Sequence, residues 1–198
     1  LYQLKVASLL GFVLSPTLVT NSPQEAHAFY REQDGNLIYK PLRRSRLTRD
    51  GAVSLIYTNP VGPAEASQMD KVAYAPCLLQ TYVQKQVEVR VTVIGKRAFG
   101  VAIHSQEHVA ARHDWRRGDT VQLRHEPHKL PSDLEARCVA LVQEMGLAFG
   151  AIDLILTPDG EYVFLEINPN GQWAWIQQLC PEIPLREALA DLLINGGD

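Results

Sequence analysis

The runs Ala151-Ile-Asp-Leu-Ile-Leu156 and Val163-Phe-Leu-Glu-Ile-Asn168 flank Thr157-Pro-Asp-Gly160, and this strand, turn, strand pattern constrains the chain more than any other. Side-chain alternation puts Glu166 and Asn168 on one face of the second strand, which Pro169 and Gly171 then stop. Asp153 stands alone in the apolar first strand. The three side chains can therefore converge through oxygen. A buried carboxylate pair repels itself and is costly to desolvate unless a cation or hydrogen bonds compensate. Mg2+ takes a few carboxylates, with phosphate oxygens and water completing its shell, so the pattern points to Mg2+ carrying a nucleotide. Spacing alone leaves a plainer reading open, an Asp before a turn and an exposed acid on an edge strand.

The hairpin with Asp153 followed by Glu166-Ile-Asn168 resembles the metal-binding strand pair of the ATP-grasp ligases. The longer string Asn168-Pro-Asn-Gly-Gln-Trp173 resembles a narrower branch, the microviridin-type peptide maturases that make graspetides. The resemblance implies an α+β ATP-grasp fold, two α+β lobes gripping ATP between them, over nearly the whole chain. The amino-terminal domain that usually precedes those lobes is expected to be absent from this stretch of sequence. The chain opens at Leu1 inside a helical pattern with no initiator Met and no helix start signal, so a fragment or trimmed protein is expected.

With 198 residues and 46% of them apolar, the chain can bury a core as one domain or two joined lobes. A net charge of -3 gives no global nucleic-acid signature, although Arg43, Arg44, Arg46 and Arg49 make a dense local patch. Cys77, Cys138 and Cys180 neither build a disulfide framework nor space a zinc site, and a reducing cytoplasm is the expected home. No run approaches the roughly eighteen apolar residues that cross a bilayer, so no membrane is an expected partner, and the acidic net charge leaves nucleic acid unexpected as well.

Along the chain, a helix runs to about Leu10 and stops at Gly11, and an extended stretch follows to Thr20. Asn21 or Ser22 caps a helix with Pro23 in its first turn, ending at Asp34-Gly35. The strand Leu37–Lys40 precedes a polar, basic loop from Arg43 to Val53, with Gly51 as its turn residue, and Ser54–Thr58 resumes a strand. Asn59 to Asp70 reads as a loop, Leu78–Val83 as a strand, and a hinge falls near Gln84. We therefore expect a small lobe over 1–83, with its preceding helix, and a carboxy-terminal lobe over 84–198. The second lobe opens with the alternating hairpin Glu88–Ile94 and Ala98–Ile103, turned at Gly95-Lys96, on which Glu88, Arg90 and Thr92 share a face. A polar loop follows from His104 to Thr120, then a long helix from Pro131-Ser132 to Gly146. The Asp153 and Glu166 strands come next, and a last amphipathic helix runs from Leu185 to Ile194.

Lys40 closes an otherwise apolar strand, where an ammonium either meets phosphates as a point charge or simply reaches water. Ile38-Tyr-Lys-Pro41 resembles the ATP-grasp strand whose Lys binds the α and β phosphates, which implies that role for Lys40. The family then places a glycine-rich loop over the phosphates; here Arg43–Gly51 holds one glycine and four arginines. Phosphate cover by guanidinium groups, contact with an acidic peptide and a merely solvated loop all stay open. Leu79-Gln-Thr-Tyr-Val83 resembles the family's hinge, implying adenine recognition by backbone groups of Tyr82 and Val83 with Gln80 nearby. Glu88 matches the acid that reaches the ribose hydroxyls, or is an exposed strand end. Arg90 matches an arginine pointed into the family's cleft, or forms a surface ion pair with Glu88. Asp114-Trp-Arg116 resembles an element whose Arg steadies the transferred phosphoryl group, which makes Arg90 and Arg116 the implied catalytic residues and Asp153, Glu166 and Asn168 the implied metal ligands.

The histidines His104, His108 and His113 fit no zinc spacing, and no nucleophile triad is present. The implied reaction needs none. ATP and Mg2+ convert a carboxylate into an acyl phosphate that an amine or hydroxyl captures. The branch resemblance implies a ribosomal precursor peptide as substrate, closed through side chains as a macrolactone or macrolactam, with a homodimer as a candidate assembly. Two alternatives remain: an amino-acid ligase acting on a peptide or protein end, and a non-catalytic ATP-grasp-like module that binds a peptide.

Overall fold

The computed structural model describes residues 1–42, 46–49, 52–55, 57–120 and 123–196. In chain order the helices are α1 (Tyr2–Leu9), α2 (Pro23–Glu32), α3 (Pro63–Ala66), α4 (Ser132–Glu144), α5 (Ala174–Leu179) and α6 (Leu185–Asn195). The first six strands are β1 (Val13–Leu14), β2 (Thr17–Thr20), β3 (Leu37–Lys40), β4 (Arg46–Arg49), β5 (Ala52–Leu55) and β6 (Asn59–Val61). They are followed by β7 (Cys77–Thr81), β8 (Val87–Ile94), β9 (Arg97–Ile103), β10 (His125–His128), β11 (Phe149–Leu156) and β12 (Tyr162–Asn168).

The described chain forms two compact units, one of Leu1–Leu14, Gln84–Glu107 and Gln122–Asp198, the other of Ser15–Val83 and His108–Val121. Set beside a division at 83/84, two segments sit in the opposite unit. Leu1–Leu14 pack with the later part because β1 pairs in parallel with β12, and Val6 and Ala7 of α1 enter the same core as Phe164. His108–Val121 joins the earlier part, where Asp114 accepts from the Thr58 N–H and Arg117 donates to the Thr58 carbonyl.

The first unit is built on a six-stranded sheet in the order β1-β12-β11-β8-β9-β10. Except for the parallel β1 and β12 pair, its neighbours are antiparallel. One face carries Val87, Val89, Val91, Val93, Ile152, Leu154 and Phe164 under Leu134, Cys138, Leu141 and Val142 of α4. On the other face Ile94 and Val101 lie under Ile176 of α5 and Leu185 and Ala188 of α6. Every residue of β8 is buried, so its alternation separates two covered faces rather than core from solvent. Helix α4 ends at Gly146, whose φ of 70° supplies the left-handed turn.

The second unit has a four-stranded antiparallel sheet, β2-β7-β3-β6, with Ala26 of α2 packed against Leu37, Val61, Cys77 and Leu79. The Ser22 hydroxyl caps α2 by accepting from the Glu25 N–H at 3.3 Å, with Pro23 in the first turn. Where a basic loop is expected, β4 and β5 pair as a hairpin, Arg49 opposite Ala52. Asp50-Gly51 between flanking strand formers is itself a hairpin signal, one that the surrounding arginines obscure. Arg43, Arg44 and Gly51 lie outside the described residues, and only the backbone of Arg46 and Arg49 is described. The stretch after Thr58, read as loop, contains β6 and α3, and the segment after Trp173 forms α5.

Candidate functional site

In the first unit the pairing of β11 with β12 sets Asp153 opposite Glu166 and Ala151 opposite Asn168. The pairing of β11 with β8 sets Asp153 opposite Arg90 and Ala151 opposite Thr92. Glu166, Asp153 and Arg90 therefore form one row across three strands, and Asn168, Ala151 and Thr92 form the next row on the same face. The opposite face holds Ile152, Leu154, Phe164 and Ile167 in the core, which forces the polar set to this side.

Like charges directly opposite on a sheet are unfavourable. Two carboxylates roughly 5 Å apart repel by about 3 kcal/mol at an effective dielectric of about 20 and by under about 1 kcal/mol in water, so a compensating positive charge favours the row. Arg90 supplies part of it, its Nε 3.0 Å from Asp153 Oδ1 with both side chains largely buried. Glu166 is exposed. A divalent cation would balance both acids. The donor set suits one: two carboxylates and an amide, all hard oxygens, with Arg90 orienting one carboxylate from outside. Thr92 Oγ1, 1% exposed on this same face, has no hydrogen-bond partner among the described residues. No group of three or more His, Cys, Asp and Glu side chains suited to a metal exists among the described residues; this set reaches three ligands only by counting Asn168.

The turn after β12 folds back onto that face. Asn168 Oδ1 accepts from the Asn170 N–H at 3.0 Å, and the Asn168 carbonyl accepts from the Gly171 N–H at 3.2 Å. A Cβ on Gly171 would stand 2.2 Å from the Ala151 Cβ, so the glycine is required by contact with the strand beneath it.

Glu88 lies on the Arg90 face of β8 and is buried, its Oε1 accepting from Lys85 Nζ, which is also buried. The exposed strand end allowed by the sequence is thus not found, and Arg90 pairs with Asp153 rather than at the surface with Glu88. Lys85 was not among the expected site residues; its one sequence signal is its place three residues before the strand acid Glu88.

In the second unit, Lys40 Nζ donates to Gln80 Oε1 at 2.7 Å. Hydrogen-bond arithmetic fixes that orientation. The Thr17 hydroxyl donates to the Ser15 carbonyl, so its oxygen accepts from Gln80 Nε2 at 2.8 Å, which turns the amide oxygen to Lys40. Tyr82 uses its backbone locally: its N–H donates to the Asn36 carbonyl at 2.9 Å and its carbonyl accepts from Asn36 Nδ2 at 3.1 Å. Adenine recognition there would draw on the carbonyl's second lone pair or on Val83 next to it. Asp114, 4% exposed, grips Arg116 through two bonds of 2.8 Å and accepts from the N–H groups of Thr58 and Arg116. Burial opposes ionisation of Asp114, but the Arg116 hydrogen bond and charge and the two backbone donors outweigh it, holding the carboxyl below its ordinary range. Asp114 was not among the expected site residues, yet it organises the segment that presents Arg116.

No family model matches the chain, and no curated protein sequence matches it. Solved structures do. A RiPP-associated ATP-grasp ligase of Chryseobacterium gregarium, solved with ADP and a leader and core peptide, is 33% identical over 100% of this chain with a TM-score of 0.94. The macrocyclase MdnC of Microcystis aeruginosa, solved with its precursor peptide MdnA, is 30% identical over 98% of the chain with a TM-score of 0.85. The macrocyclase MdnB of the same organism is 34% identical over 98% with a TM-score of 0.71. This chain spans 59%, 59% and 58% of those proteins. The chain has the ATP-grasp fold. Within that fold its likeness is to the RiPP-associated, microviridin-type branch, the one that Asn168-Pro-Asn-Gly-Gln-Trp173 resembles.

Proposed function

We propose that the chain is the catalytic core of an ATP-dependent ligase that joins side chains of a ribosomal precursor peptide through ester or amide bonds. The observation that carries this reading is the Glu166, Asp153, Arg90 row with Asn168 beside it, in a chain similar over its whole length to ligases solved with ADP or precursor peptide. An oxygen of a substrate Asp or Glu carboxylate attacks the γ-phosphorus of ATP, the bond to ADP breaks, and an acyl phosphate forms. A substrate hydroxyl or amine then attacks the carbonyl carbon and loses its proton, and phosphate departs. The peptide loses one water in sum, while ATP becomes ADP and phosphate.

The protein positions and neutralises rather than reacting covalently. Lys40, aimed by Gln80, meets the α and β phosphates. Glu88, held by Lys85, accepts from the ribose hydroxyls, and backbone groups of Tyr82 and Val83 read adenine. Arg116, presented by Asp114, steadies the phosphoryl group in transfer, and Arg90 orients Asp153. Asp153, Glu166 and Asn168 would hold Mg2+, which when bound supplies charge neutralisation to the phosphate oxygens.

The test is incubation of the full chain with ATP, Mg2+ and a short peptide, rich in Thr, Ser, Asp and Glu, encoded beside its gene. Loss of one water per ring by mass spectrometry, matched by phosphate release, supports the reading. A gain of an amino-acid residue would instead identify an amino-acid ligase. An unchanged peptide, with no calorimetric heat from Mg-ATP, would leave a peptide-binding module. Glu166→Gln and Asn168→Ala should each abolish phosphate release with the fold intact.

A further inference from the structure

Strand β1 pairs with β12 only at Val13 with Val163 and Leu14 with Phe164. Glu166, Ile167 and Asn168 run past the end of that neighbour, where backbone groups on the outer edge lack a strand partner. The side chain of Gln3, in the first turn of α1, fills the gap: its Oε1 accepts from the Ile167 N–H at 2.6 Å, across a sequence separation of 164 residues. Backbone groups of successive strand residues point to alternate edges. With Ile167 directed at Gln3, Glu166 and Asn168 direct theirs toward β11, opposite Asp153 and Ala151.

The ladder needs this second support because its register shifts between Asp153 and Leu154, immediately beside the paired acids. Such an irregularity loosens and bends a strand pair locally. The donor of the support is itself anchored, since Val6 and Ala7 of α1 lie in the core with Phe164 and Ile167, and Arg137 of α4 donates to the Gly11 carbonyl at 2.7 Å just beyond the helix.

We propose that Gln3 is a positioning residue for the divalent-cation site. Its amide stands in for a partner strand where β1 ends, fixing the backbone between Glu166 and Asn168 and so the spacing of both side chains from Asp153. The inference rests on the metal-binding reading given above.

The experiment is a Mn2+ titration of the full chain in the presence of ADP, followed by electron paramagnetic resonance, on the parent, Gln3→Met, Gln3→Glu and Glu166→Gln. Amide exchange at Ile167 is followed on the same variants without metal. Gln3→Met keeps the length and loses the acceptor, and should weaken Mn2+ roughly tenfold, as loss of a group supporting metal ligands does, while accelerating exchange at Ile167. Gln3→Glu keeps an acceptor and should restore both. Mn2+ affinity unchanged in Gln3→Met, or lowered equally in Gln3→Met and Gln3→Glu, overturns the role of Gln3 provided that Glu166→Gln weakens Mn2+. Unchanged binding in Glu166→Gln overturns the metal reading itself and this inference with it.

Discussion

Replacing Gly171 by Ala should separate the geometry of the metal face from the stability of the fold. The added Cβ would lie 2.2 Å from the Ala151 Cβ, 3.5 Å from its Cα and 3.3 Å from the Asn168 carbonyl oxygen. Carbon atoms in ordinary contact stand about 3.5–4.0 Å apart, so the turn must retreat by roughly 1.3–1.8 Å. Gly171 does not adopt the left-handed backbone conformation, so the conflict is one of space. Strand β11 is buried and central, which leaves the Asn168–Gly171 turn as the part that moves. Overpacking of this kind costs about 1–3 kcal/mol. A ligand displaced by about 1 Å can cost on the order of a hundredfold in rate, a larger effect than the stability loss suggests. The assay pairs thermal unfolding with Mn2+ affinity measured in the presence of ADP. Gly160→Ala serves as control, since its Cβ meets nothing but its φ is 84°; it should lower stability and leave metal affinity alone. Ala151→Gly removes the obstructing methyl and should restore binding to Gly171→Ala in a double-mutant cycle. Undiminished Mn2+ affinity in Gly171→Ala, or no rescue by Ala151→Gly, would refute the reasoning.

Other consequences are open to direct measurement. Asp114 is held ionised below the ordinary carboxyl range, so its contribution is present above the unfolded carboxyl value, about 3.9, and is lost as pH falls through the lower folded value. Asp114→Asn should therefore lower stability at neutral pH and flatten the acid limb of a denaturation series. Burial pushes the His125 and His128 imidazoles down, with His128 Nε2 2.7 Å from the Tyr162 hydroxyl. The folded chain resists protonating them, so stability should decline as pH drops below about 6.5, and His128→Gln should reduce that slope in urea titrations between neutral and mildly acidic pH. Burial raises the Cys138 thiol to about 12, so a thiol reagent should modify it only at the rate of unfolding, which kinetic labelling in increasing denaturant will read.

Much of the fold was legible because local chemistry agreed with tertiary demand. Strand β3 has the bounds that Leu37–Lys40 suggested, Ser22 caps α2, and β8 and β9 turn at Gly95, whose φ is 59°. The basic hairpin was not, because arginines in β4 resemble a solvated loop when composition is weighed above the Asp50-Gly51 turn signal. Placement of Leu1–Leu14 was not legible either: parallel pairing of Val13 with Val163 links residues 150 positions apart and leaves no periodic trace. At the candidate site, alternation alone could place Glu166 and Asn168 on one face, but it could not show that Asp153 faces Glu166 in register or that Arg90 stands next in the row. Lys85, Asp114 and Gln3 were not legible as site residues: burial gives Lys85 and Asp114 their weight, the partner of Gln3 is 164 residues away in sequence, and a single sequence displays residue types without either.

The most direct test of the central claim is an anomalous difference map from crystals of the full chain grown with ADP and Mn2+. The account predicts a peak about 2.1 Å from side-chain oxygens of Asp153, Glu166 and Asn168, with Arg90 still on Asp153. A peak held by other residues, with those three oxygens turned away from it, would contradict the account.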